Sequence, residues 1–199
     1  MKKKLFYSLI FILVVFLMVN YSYCVLSGNA SSNVLTDSEK SLIKKFGYGG
    51  DYVMRWADGY VDVYNGTSFK GMKRLIDKLN LLTGEKVIFR LSDNKEESQI
   101  VFQSYANVKY AGGLEYFYFD GYKFKKCQIQ INHKYTRKER LFLFMFTQVV
   151  GYNIKADRDK YEKGGTGWTK FKIDKTIEKM LRALYKVPPG YNLLTEKVE

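Results

Sequence analysis

"LFLFMFTQVVGYN", Leu141–Asn153, is the stretch on which the reading of the fold turns. It follows a charged turn and is apolar nearly all round, so a helix built from it belongs inside the molecule. It is too short for a membrane span of ~20 residues. Its spacing follows the zinc-helix pattern HExxHxxGxxH. In that pattern two histidines four residues apart share a face, and the adjoining glutamate activates the metal-bound water. Gly151 falls on the glycine. Phe144 and Gln148 fall on the first two histidines, Met145 on the glutamate and Ile154 on the last histidine. Phe offers no donor atom, Met only a soft thioether, and the Gln amide is a weak substitute for imidazole. The one histidine in the chain, His133, precedes the helix. A zinc site normally takes three protein ligands, so we expect no metal, no cofactor and no catalytic residue here.

Working outward, "TRKER" ahead of this stretch carries a capping box, Thr136 with Glu139, and Gly151 closes the helix. A polar, glycine-rich loop runs from Tyr152 to Trp168. A last helix opens at Asp174, turns Ile177, Met180, Leu181 and Leu184 inward, and is halted by Pro188 and Pro189. Upstream, "TDSEKSLIKKFG" has a second capping box, Thr36 with Glu39. "YVMRWADGYVDVYNG" alternates around Asp58-Gly59, as a hairpin or a bent strand would. The spacing of Met72, Leu75, Ile76, Leu79 and Leu82 predicts an amphipathic helix from about Thr67 to Gly84. Strands are predicted at Lys86–Ser92, Ser98–Tyr105 and Cys127–Asn132. "GLEYFYFDG" supplies a fourth, turned into the last by Asp120-Gly121. The order of elements indicates one α+β domain with a mixed or antiparallel sheet.

With these elements placed, a resemblance emerges. "TQVVGYNIKADRD" followed by "IDKTIEKMLRALYKVPPGYN" resembles the C-terminal half of an uncharacterised bacterial secreted family, domain of unknown function 2927. Some of its members are described as lipoproteins. Thr147, Gln148, Gly151, Asp174, Leu184, Tyr185, Pro189 and Gly190 match its pattern. The upstream "RW", "VDVY" and "LIDKLNLLTG" stand in family order, so the likeness covers about Tyr52 to Asn192. The family itself resembles a degenerate zincin metalloprotease whose second histidine has become glutamine. This chain departs further, with Met145 where the family usually keeps a glutamate. The resemblance implies a zincin-like domain whose active-site-type helix floors a cleft beside the sheet. Gln148, Thr147 and the loop residues Asp157, Asp159 and Thr166 are then the expected cleft or ligand contacts.

The N-terminus adds a location. Lys2, Lys3 and Lys4 precede an apolar run from Leu5 to Val19, which is the pattern of a signal peptide. Residues 1–24 read as that signal, or as an uncleaved membrane anchor, residues 25–35 as a linker and 36–199 as the domain. The domain is therefore expected to be periplasmic or secreted. Cys24 and Cys127 are the only cysteines, and loss of the leader leaves Cys127 alone, more a core residue than a reactive thiol.

Net charge is +13, from 33 basic and 20 acidic residues. Lysine predominates, which fits a solvated surface first and contact with an anionic surface second. "YKFKK" at Tyr122–Lys126 and "HKYTRKER" at His133–Arg140 interleave aromatic with basic side chains, as surface-binding segments do. Export disfavours nucleic acid as a partner. The expected function is thus a non-catalytic, zincin-like binding or envelope-associated domain with an unidentified partner. Two alternatives stay open. One is a hydrolase using carboxylates among Glu115, Asp120, Asp157, Asp159 and Glu162. The other is a basic module attached to anionic lipids or polymers.

Overall fold

The computed structural model describes residues 34–84, 86–106, 110–157 and 166–199, and the segment expected to be a signal or anchor lies outside them. Among the described residues no helix is long and apolar enough to cross a membrane. Four α-helices accompany one six-stranded sheet among the described residues. In chain order they are α1 (Asp37–Phe46), β1 (Arg55–Trp56), β2 (Gly59–Gly66), α2 (Met72–Thr83), β3 (Val87–Ser92) and β4 (Ile100–Tyr105). Next come β5 (Gly112–Asp120), β6 (Lys123–Asn132), α3 (Glu139–Val149) and α4 (Lys175–Leu184).

The sheet runs β1-β6-β4-β2-β3, with β5 on β6. The sheet, expected from the sequence to be mixed or antiparallel, is predominantly parallel. β1–β6, β2–β3, β2–β4 and β4–β6 are all parallel, and only the β5–β6 hairpin, turning through Gly121, is antiparallel. β1 and β2 do not form a hairpin either. They are separate strands, β1 beside β6 and β2 between β3 and β4.

Parallel neighbours ordinarily need a crossover of a dozen or more residues. The short connection 93–99 suffices because β3 and β4 are staggered. β3 pairs with Gly59 to Tyr64 of β2, and β4 starts opposite Val63 on the other side. The chain therefore steps across β2 rather than returning along it. Gln99 fixes the crossing: its N–H donates to the Asp62 carbonyl at 3.1 Å, and its Oε1 accepts from the Asp62 N–H at 2.7 Å.

One face of the sheet is apolar, with Val61, Val63, Phe89, Ile100, Phe102, Ile129 and Ile131 all buried. The other carries Tyr60, Asp62, Arg90, Gln103 and Gln128, half-buried or exposed. α3 packs on the apolar face through rings. Phe142 stacks on Phe69 and Phe102 at 4.2 and 5.5 Å, and Phe146 meets Phe89 and Phe102 at 5.6 Å each. Each fully buried ring contributes roughly 2–3 kcal/mol of transfer free energy, which explains why α3 is apolar on nearly every side. Cys127 lies in this core. Its burial pushes the thiol well above its ordinary pKa, which favours the core reading over a reactive one.

Local signals are realised unevenly. The Thr36–Glu39 capping box forms, and Asp174 caps α4 by accepting from the N–H groups of Thr176 and Ile177, both at 3.0 Å. The Thr136–Glu139 box does not form. The N-cap of α3 is Lys138. The Thr136 hydroxyl donates to the His133 carbonyl and accepts from Ser68, while Glu139 pairs with Arg74. α2 starts at Met72 rather than near Thr67, because Asn65 and Thr67 bind each other and the backbone in a turn.

Candidate functional site

The C-terminal half of α3 is sewn into the fold by side chains from distant elements. The Trp56 indole donates to the Val149 carbonyl at 2.7 Å, and the Tyr185 hydroxyl to the Val150 carbonyl at 2.9 Å. Arg55, wholly buried, donates to the carbonyls of Val187 and Trp56 at 2.8 and 2.6 Å and to Asp58 at 2.8 Å. Gly151 has φ +125°, and a Cβ there would meet Leu184 at 2.4 Å. Arg55, Trp56, Gly151, Leu184 and Tyr185 are therefore structural.

The other side of α3 faces a cleft of about 390 Å³, within the range of ligand sites. Leu141, Phe144, Met145 and Gln148 form its floor. Gly112, Gly113 and Leu114 of β5, with Tyr110 before them, form one wall. Ile154, Lys155, Gly167 and Trp168 form the other, and Lys155 is the one charged side chain among the described lining residues. Gly112 lets β5 enter closely, since a Cβ there would sit 3.0 Å from Ile131 and 3.1 Å from the Gln130 carbonyl. β5 has a neighbour on one side only among the described residues, so its outer edge leaves backbone groups unpaired.

The expected site residues divide. Phe144, Met145 and Gln148 meet in the cleft floor. Gln148 is 9 % exposed, and its amide donates within its own helix, to the Phe144 carbonyl at 3.3 Å and the Met145 sulfur at 3.7 Å. Thr147 does not reach the cleft. It is fully buried, and its hydroxyl donates back to the Leu143 carbonyl at 2.7 Å. Asp157 is held by the Tyr152 hydroxyl at 3.0 Å and is not a lining residue. The Thr166 carbonyl accepts from Thr169, and the next two residues line the cleft in its place. Asp159 lies outside the described residues. The β5 wall and Trp168 were missed from sequence; a lone Trp in a polar loop was the one available signal.

A ring, a thioether and an amide do not make a metal site. Among the described residues no group of three or more His, Cys, Asp or Glu could hold a metal ion. His133 sits exposed on a 3-10 turn away from the cleft lining. Of the carboxylates considered for hydrolysis, Glu115 binds Gln128, Asp120 pairs with Lys125 at 3.2 Å and Asp157 with Tyr152. None of these three lines the cleft, and Glu162 lies outside the described residues. Searches against protein-family models, curated proteins and solved structures returned no match.

Proposed function

We propose that this is an exported, non-catalytic binding domain on a zincin-like scaffold, and that its cleft captures an extended polypeptide segment. The observation that carries the reading is the pairing of the β5 edge, which has no strand neighbour among the described residues, with an apolar trough floored by Phe144, Met145 and Gln148. An extended chain laid beside β5 would satisfy the open backbone groups and place alternate side chains in the trough, the usual mode of strand addition. The positions where a zincin would hold metal and move protons contribute only packing surface and one amide. The apolar leader supports export.

The test is selection of random dodecapeptides by the full-length protein, followed by amide hydrogen exchange. Bound peptides should slow exchange along β5 and leave β3, the opposite edge, unchanged. Selected peptides that bind without protecting β5 would refute strand addition. Peptide hydrolysis abolished by a chelator would refute the non-catalytic reading.

A further inference from the structure

The cleft does not end at Trp168. That residue also walls a second hollow, of about 590 Å³, lined by Arg137, Lys138, Arg140, Leu143 and Thr169 as well as Glu139. Arg137 in turn walls a third, of about 530 Å³, with Lys70, Arg74 and the Ser68–Gly71 turn. The three hollows thus share walls in series, from the apolar cleft, over an indole, onto a shelf of cations. Their described linings hold six Lys or Arg and a single carboxylate, Glu139, which Arg74 already engages.

Two of the three arginines on this shelf, Arg137 and Arg140, differ from the others, Arg74 among them being paired with Glu139. Arg55, Arg90 and Arg182 are paired with Asp58, Asp62 and Glu178. Among the described residues Arg137 and Arg140 have no carboxylate partner. Arg140 spends one N–H on the Thr169 carbonyl, at 2.6 Å, which orients its guanidinium and leaves further donors over. Both side chains are exposed. Planar guanidinium forks match carboxylates bidentately in a way that lysine does not. Trp168 itself is steadied edge-on by Tyr135 at 5.7 Å.

We propose that the segment taken by the cleft is acidic beyond its apolar anchor, with its carboxylates passing over Trp168 onto Arg137 and Arg140. This rests on the polypeptide reading of the cleft and adds the chemistry of the ligand. An apolar anchor beside a run of negative charge is what a trough of this polarity selects. A polymer held by charge alone would leave the apolar third of it unused.

The experiment uses the same random dodecapeptide library on the full-length protein, at low and high salt. Recovered peptides should carry Asp or Glu to one side of an apolar cluster and should weaken as salt rises. The R137E/R140E variant should bind them about tenfold more weakly, or roughly 1.4 kcal/mol, and R137K/R140K should fall between. R182E, on α4, should bind as the natural protein does, and thermal melts should show every variant folded. Peptides that protect β5 but lack acidic residues would overturn this inference and leave the cleft reading standing. Acidic peptides that bind without protecting β5 would remove both. Equal competition by phosphatidylglycerol vesicles would also overturn it, by showing that the shelf reads charge and not a peptide.

Discussion

The two sides of α3 are built on opposite terms. Its C-terminal end is tied to β1 and to the cap of α4 by hydrogen bonds that cross long stretches of chain, Trp56 to Val149 and Tyr185 to Val150, and Arg55, beside Trp56, ties β1 in turn to Val187. Its cleft side makes its polar contacts within one helical turn, Gln148 to Phe144 and Met145. A side chain bonded across the fold holds elements together, whereas one bonded to its own helix can turn to a ligand at little structural cost. The motif spacing that suggested a catalytic helix therefore mixes two kinds of residue. Gly151 and its neighbours hold the scaffold, and Phe144, Met145 and Gln148 face solvent-accessible space.

The sharpest way to break this contrast is at the seam. Arg55→Ala would strand two buried carbonyls and should cost about 3–5 kcal/mol in urea unfolding. A loss under about 1 kcal/mol would show that Arg55 is not a tie. Gly151→Ala should cost about 2 kcal/mol, since it meets both a left-handed φ and Leu184. Tyr185→Phe should cost about 1 kcal/mol by orphaning the Val150 carbonyl.

A smaller, pH-dependent loss belongs to Glu39. Burial alone would raise its pKa, but its bonds to Lys186 and Thr36 outweigh burial and hold it below its ordinary 4.5. A carboxyl depressed on folding stabilises above its unfolded pKa, and that stability is lost as pH falls through the folded value. Chemical denaturation from pH 6 downward should therefore show stability declining below about 4.5, and Glu39→Gln should flatten that slope. Least of all should happen at the cleft. Gln148→Leu should change stability by less than about 1 kcal/mol yet alter peptide binding. The reverse outcome would place Gln148 with the seam.

Much of the fold was legible in the residues. The helical spacing from Met72 to Leu82 gave α2 and its buried face, and Thr36 and Asp174 marked helix starts correctly. Strand direction was not legible. A parallel sheet covered on both faces reads as continuous apolar runs, but this one leaves Asp62, Arg90, Gln103 and Gln128 toward solvent. Its strands alternate as antiparallel strands do. The false capping box at Thr136 failed for a tertiary reason, because Ser68 and Arg74 from elsewhere in the chain take its two partners. At the site, helical spacing brought Phe144, Met145 and Gln148 together correctly. It could not say that Thr147, one residue along, turns inward. Nor could it supply Gly112 to Leu114, whose place beside α3 depends on the order of strands.

The step of the chain across β2 has a further consequence, for assembly. β4 finds its place only on the far flank of β2, opposite Val63 to Gly66, and the tether 93–99 is too short to let it wait elsewhere. We therefore expect β2, α2 and β3 to dock before β4, and β4 before the β5–β6 ribbon that pairs with it. The β5 edge proposed to take a peptide would then mature late in the assembly of the sheet, and a nascent chain stalled before β6 would lack that paired edge.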